Sequence, residues 1–289
     1  MVWLFVFVVG AAVGSFIGVV VEREIQDGLK GRLGLIPSWF VGRSRCDSCG
    51  MNIKWYDNIP LVSFFVLGKR CRMCHSPIPG RYFVTELGMG LLFVWFYFLL
   101  TSGSLMRMIT AFNLSYDLGS VFLNFLPYWL VFFLGCLLMW ALVSISVVDL
   151  RVGLIPDSVL VVSGFFILLL RLWLWISTGD SLFILSPIAF GLASSFFFAA
   201  IIFLTRGRGM GWGDVKLSFW MGLWLGWLVV VAVWLAFLTG ALAGIILLLG
   251  RKKRWGQTIA FGPFLAWGTL VAAFAGGWLV ERILLLGFH

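Results

Sequence analysis

Residues 183–204, FILSPIAFGLASSFFFAAIIFL, contain no charged side chain. A helix needs about 20 mostly apolar residues to cross the hydrocarbon core of a bilayer, and this stretch reads as such a helix. Working outward, seven further stretches read the same way: 2–21, 83–101, 127–148, 156–176, 215–228, 230–250 and 261–286. Only Gly226 and Trp227 mark a break between 215–228 and 230–250. The 289 residues are 62% hydrophobic and 11% charged, a composition that excludes an ordinary soluble domain. The expected fold is an all-α polytopic membrane protein of about eight transmembrane helices. The first stretch is too long for a signal peptide and lacks the small-residue cleavage site, so it is read as a helix.

Lysine and arginine set the orientation, because loops that remain cytoplasmic carry the positive excess. Residues 22–82, between the first two spans, hold ten of them from Arg23 to Arg81. Arg151, then Arg206, Arg208 and Lys216, then Arg251 to Arg254 fall on the same side, leaving Arg107, Arg171 and Arg282 elsewhere. The amino terminus is therefore expected outside and the 22–82 loop in the cytoplasm. The net charge of +9 reads as topology and attraction to anionic lipid, with no nucleic-acid partner called for.

Within that loop, CDSC at 46–49 and CRMC at 71–74 form two C-x-x-C pairs. Two such knuckles can close a tetrahedral thiolate site on zinc, and the reducing compartment disfavours disulfides. Cys46, Cys49, Cys71 and Cys74 are the expected ligands of a structural zinc, because a closed four-thiolate site leaves no open position for catalysis. His75 is read as a neighbour of the site and Cys136 as a small buried apolar side chain. The intervening WYDNIPLVSF, residues 55–64, reads as an Asx-type turn with aromatic packing against the zinc knuckles or lipid headgroups.

The two histidines, His75 and His289, are not placed to serve a nucleophile, which leaves the carboxylates. Glu86, Asp149, Asp157 and Asp214 fall at the inner ends of spans. Asp157 after Pro156, Glu86 near the start of the second span and Asp214 as a cap all suit the positive end of a helix. Asp149 ends a helix running inward, where the macrodipole disfavours a negative charge, so it is a functional candidate. Asp149 and Asp214 share one membrane depth and could converge as an aspartic-protease pair, one holding a proton while the other activates water. In GMGWGDVKL, residues 209–217, Gly211 and Gly213 would allow close backbone approach and leave room for an unwound peptide. Lys216 would either snorkel to headgroups or orient the substrate.

Taken together, these motifs resemble the type IV prepilin peptidase family, membrane aspartic proteases of the G-x-G-D kind. The likeness runs through GSF at 14–16, Arg23, the cysteine pairs around WYDNIP, RY at 81–82 and EL at 86–87. It continues through VVDLRVGLIPD at 147–157, GMGWGDVKL and FGPFLA at 261–266. The resemblance implies that Asp149 and Asp214 are catalytic and that the substrates are type IV prepilins or pseudopilins, whose basic leader is cut at the cytoplasmic face of a bacterial inner membrane. It further implies methylation of the new amino terminus with S-adenosylmethionine, an activity associated with the cysteine loop. The chain is thereby divided into a first helix at 1–21, a zinc-binding loop at 22–82 and peptidase helices at 83–289. It departs from the family pattern at Gly18, where asparagine is common, at Arg23-Glu24-Ile25, at Phe83 and at Arg151.

Rival readings are a peptidase that does not methylate, a G-x-G-D protease for other membrane helices, a transporter coupling ions through intramembrane carboxylates, and a zinc-bearing scaffold. Transport would place acids near the bilayer centre, where the spans have almost none. A scaffold would tolerate loss of Asp149 and Asp214.

Overall fold

The computed structural model describes residues 1–30, 39, 44–102, 128–207, 209–250 and 260–287. Among these the chain is helical and forms no sheet; the only bridges are Arg45 with Asn52 and Arg70 with Pro77. Arg107, Arg208, the 251–254 run and His289 lie outside the described residues. Helices α1 (Val2–Lys30), the short α2 (Val62–Val66) and α3 (Gly80–Thr101) precede α4 (Tyr128–Val152) and α5 (Asp157–Thr178). They are followed by α6 (Leu182–Leu204), α7 (Trp212–Leu225), α8 (Val229–Leu249) and α9 (Gly262–Gly287). Seven stretches among the described residues are long and apolar enough to cross a membrane, one of them being the 38 residues Trp212–Leu249.

That stretch is two helices. Gly226, with φ 59° and ψ −132°, adopts a conformation that is costly for a side-chain-bearing residue and turns the chain through a 3-10 segment, Gly226–Leu228, into α8. The sixth span thus runs from Trp212 to Leu225 rather than over 215–228, because the helix begins directly at the glycine-rich segment and ends at Gly226. Its 14 residues rise about 21 Å, short of the roughly 30 Å hydrocarbon core. Its last carbonyls are therefore candidates for burial in a medium that cannot solvate them. Arg171 on α5 meets them: Nε donates to the Leu223 carbonyl at 2.7 Å and Nη2 to that of Trp224 at 3.2 Å, while Nη1 donates to Phe183 at 3.3 Å. A cation at a helix C-terminus also complements the macrodipole. Arg171→Met is expected to cost about 3 kcal/mol or more by stripping these charge-assisted bonds from buried carbonyls. A thermal melt of purified Arg171→Met that matches the wild type would refute this role.

The helices divide into two compact units, residues 1–102 with 135–140, and residues 103–134 with 141–289. In the first, α1 packs along α3. A Cβ at Gly14 would lie 2.6 Å from the Thr85 carbonyl and the Glu86 Cα, so the glycine in GSF lets the two backbones close up. Cys136 is buried as expected.

In the second unit α6 and α7 pack most tightly, with Gly191 and Gly222 in direct contact. Two hydroxyls of α6 bond to carbonyls of α7, Ser194 to Ser218 at 2.9 Å and Ser195 to Val215 at 3.1 Å. The Trp220 indole donates to buried Ser163 on α5 at 3.0 Å. These bonds fix the rotation of α7, and with it the direction of Asp214.

Candidate active site and thiolate cluster

Asp149 lies in the last turn of α4, which closes where Gly153, at φ 66°, donates its N–H to the Asp149 carbonyl at 2.9 Å. Pro156 then starts α5. The macrodipole of α4 does disfavour the Asp149 carboxylate, but a different helix compensates. Gly262, the first residue of α9, donates its N–H to Asp149 Oδ2 at 2.8 Å across 113 residues of sequence. Asp149 therefore sits at the positive end of α9. A Cβ at Gly262 would fall 2.6 Å from the same oxygen, so only glycine permits this approach.

Asp214 is the third residue of α7, and its Oδ2 accepts the Gly211 N–H at 3.2 Å. The capping arrangement expected for Asp214 is thus present. Both carboxylates are buried, exposed by only 7% and 8%. They belong to one unit. Gly213 faces Ile155 of the α4–α5 loop, which a Cβ would approach to 3.2 Å, whereas at Gly211 the nearest atom would be 3.8 Å away. Lys216 pairs with Asp157 at the start of α5, at 2.8 and 2.9 Å. Both partners are well exposed, so the pair adds at most about 1 kcal/mol. Gly262 was not singled out by the carboxylate reading, although a Gly-Pro at the head of an apolar run is a helix-start signal.

The four loop cysteines come together in the first unit, their sulfurs all within 4.8 Å of one another. They are the only group of three or more metal-ligating side chains among the described residues. The two knuckles repeat one backbone pattern. Cys46 N–H donates to Met51 and Gly50 N–H to Cys46; Cys71 N–H donates to Ser76 and His75 N–H to Cys71. His75, at φ 55°, occupies the position that Gly50 holds at φ 69°, which explains why it is a turn residue and not part of the cluster. The Ser76 hydroxyl and backbone bring the Cys74 thiol down to about 6. At Cys49 the Met51 amide favours the thiolate, but desolvation and the neighbouring thiols Cys46 and Cys74 outweigh it and push the group up to about 11. The four sulfurs cannot all shed their protons together without a cation among them.

Between the knuckles, Trp55–Asn58 forms a 3-10 turn in which Asp57 bonds to Arg72 of the second knuckle, at 2.6 Å to Nη2. The Arg72 guanidinium holds the Asp57 carboxyl below the usual carboxylate range. The Asp57 side chain is therefore committed to an ion pair rather than to an Asx turn, while Trp55 stands edge-on to Tyr56, whose ring lies under the Arg72 guanidinium of the second knuckle.

The same unit contains a cavity of about 770 Å³, lined by the C-terminal half of α1, both knuckles, α2 and the start of α3. Gly18 and Tyr82 line it together; a Cβ at Gly18 would press to 2.8 Å on the Tyr82 ring, so the departure from asparagine there lets that ring lie against α1. Arg81 and Tyr82 belong to α3, which starts at Gly80 directly after Pro79, earlier than the expected 83.

Residues 8–100 match the Bacterial Peptidase A24 N-terminal domain, and residues 136–249 match the Type IV leader peptidase family. Among curated proteins the chain is similar to the prepilin leader peptidase/N-methyltransferase of Burkholderia pseudomallei, 32% identical over 94% of this chain and 85% of the relative. The protein of the same description from Pseudomonas aeruginosa is 31% identical over 95% and 91%. That from Aeromonas hydrophila is 32% identical over 91% and 88%. No solved structure matches the chain significantly. The chain belongs to the type IV leader peptidase family.

Proposed function

We propose that this protein removes the basic leader of type IV prepilins or pseudopilins at the cytoplasmic membrane face, using Asp149 and Asp214, and then methylates the exposed amino terminus. What supports the catalytic assignment is that both carboxylates are buried in one unit and each is held by a glycine N–H. Such a pair favours one shared proton, since two close carboxylates resist ionising together. The ionised member takes a proton from water as the oxygen attacks the scissile carbonyl carbon. The protonated member hydrogen-bonds to the carbonyl oxygen, and a proton then passes to the amine nitrogen as the C–N bond breaks. Gly211 and Gly213 border this site. Lys216, held by Asp157, keeps its place at the mouth of α7, where it can orient the leader or reach the headgroups. The 22–82 loop, with ten of the 21 lysines and arginines, is assigned to the cytoplasm and the amino terminus to the outside of the inner membrane.

The cysteine cluster suits zinc. Four sulfurs about 2.3 Å from a tetrahedral centre lie about 3.8 Å apart, and Cys46 and Cys74 are separated by 3.8 Å. Cys46, Cys49, Cys71 and Cys74 would hold the ion, whose role is to fold the loop. About one zinc per chain is expected in protein purified without chelators. Serine at any one cysteine should lower methylation more than cleavage, because Asp149 and Asp214 belong to the other unit. Zinc-free protein with an intact loop would overturn this assignment.

S-adenosylmethionine supplies, when bound, a methyl group on a cationic sulfur. The cavity beside the knuckles lies in the 300–1,000 Å³ range of small-molecule sites, and its polar and aromatic walls suit such a ligand.

Incubating the purified protein with a full-length prepilin and S-adenosylmethionine tests the whole reading. The intact mass of the product should fall by the leader and rise by one methyl group. An uncut prepilin would remove the peptidase, and a cut but unmethylated product would favour the peptidase-only alternative.

A further inference from the structure

Four carboxylates line the cavity of the first unit: Glu22, Asp47, Asp57 and Glu86. Three of them are paired with arginine. Arg81 Nη2 bonds to Glu22 at 2.9 Å and reaches Asp47 at 3.4 Å, and Arg72 bonds to Asp57 at 2.6 Å. Glu86 differs. It is 92% buried, and its hydrogen-bond partners are neutral: the Leu61 N–H at 2.7 Å and the Ser15 side chain. No lysine or arginine among the described residues pairs with it, although Arg23, Arg45, Lys54 and Arg72 line the same cavity.

In the sequence Glu86 reads as a residue at the positive start of its own helix, but α3 begins at Gly80 and places Glu86 at the end of the second turn. The macrodipole has faded there. Its amide donor comes instead from the loop, at Leu61, which is held at φ 63°. A carboxylate this deep, with neutral donors alone, is a group whose burial is not yet compensated. Desolvating an ionised carboxylate costs several kcal/mol, more than two neutral hydrogen bonds ordinarily return.

We infer that Glu86 is the cation-receiving carboxylate of this cavity, and that the cation belongs to the methyl-transfer pair. This rests on the methyltransferase reading above. Two members of that pair carry the required charge: the sulfonium of the donor and the ammonium of the newly exposed amino terminus. In the transfer, a carbon–sulfur bond breaks with its electron pair staying on sulfur. A carbon–nitrogen bond forms from the lone pair of the deprotonated amine, so positive charge moves from sulfur to nitrogen and a proton leaves the substrate. A fixed negative charge beside the reacting atoms is useful at either end of that movement.

The test measures binding to the full-length protein in detergent, with two pairs of probes, each a cation and a neutral analogue that differs by one small group. One pair is S-adenosylmethionine and neutral S-adenosylhomocysteine; the other is a pilin amino-terminal peptide with a free or an acetylated amine. The wild type should prefer the cationic member of at least one pair by about tenfold. Glu86→Gln, which keeps an acceptor for the Leu61 N–H, should erase that preference while leaving leader cleavage intact as a check on folding. Preference in the first pair assigns the sulfonium, and preference in the second assigns the ammonium. No preference in either pair in the wild type, or a preference that survives in Glu86→Gln, overturns the inference. A wild type that cuts prepilin but binds neither adenosyl compound removes the methyltransferase reading itself.

Discussion

Asp149→Asn and Asp214→Asn are each expected to abolish leader cleavage, and the double substitution to be no worse than either alone. A positioned acid or base contributes roughly 10²–10⁴-fold, and members of a pair that share one proton fail together, so the losses should be strongly non-additive. Asparagine is the right probe because it keeps an oxygen that can accept the Gly262 or Gly211 N–H. The helix ends that those bonds join should therefore remain in place, and the variants should melt as the wild type does. A time course of prepilin cleavage followed by intact mass provides the measurement. A single variant retaining more than about a tenth of the wild-type rate would dismiss the pair as the chemical centre. The scaffold and transporter readings meet the same test from opposite sides. A scaffold loses nothing with either aspartate, and a transporter has no reason to cut a peptide bond.

Much of this site is legible in the sequence, because its clues are local. The C-x-x-C spacing announces the thiolate cluster, and an uncharged run such as 183–204 leaves a spanning helix as the main reading. Gly226 signals the break after α7 for the same reason, since a glycine between two apolar runs is where a chain can turn. What escapes a linear reading is any electrostatic partner brought from far away. Asp149 looks uncompensated when only its own helix is considered, yet α9 supplies the positive end it lacks. Arg171 reads as a stray charge near the outer boundary, but its partners are the carbonyls of another helix. Glu86 and Asp214 invert each other. Both read as helix-start residues, and only Asp214 is held that way, by Gly211 in the turn ahead of it; Glu86 takes its amide from the loop before α3.

Gly262→Ala is expected to lower kcat for leader cleavage by about a hundredfold while changing KM little and leaving the fold intact. The fold should survive because alanine is at least as good as glycine in a helix, gaining up to about 1 kcal/mol from the stiffer unfolded chain. The damage is confined to the carboxylate. The new methyl would lie 2.6 Å from Asp149 Oδ2 and 3.0 Å from its Cγ, so the side chain must swing away and give up the 2.8 Å bond. Misplacing a catalytic group by about 1 Å is enough for a loss of this order. The glycines of the G-x-G-D segment provide the controls. At Gly213 a Cβ meets only the side chain of Ile155, at 3.2 Å, and at Gly211 it meets nothing closer than 3.8 Å with φ at an ordinary −87°. Alanine at 213 should therefore be moderately harmful and alanine at 211 nearly silent. The expected order of kcat is Gly211→Ala above Gly213→Ala above Gly262→Ala, with the largest loss at the glycine farthest from Asp214 in sequence. If Gly262→Ala cuts prepilin as fast as the wild type, the amide at the head of α9 does not position Asp149. The alignment of that carboxylate would then have to come from the substrate.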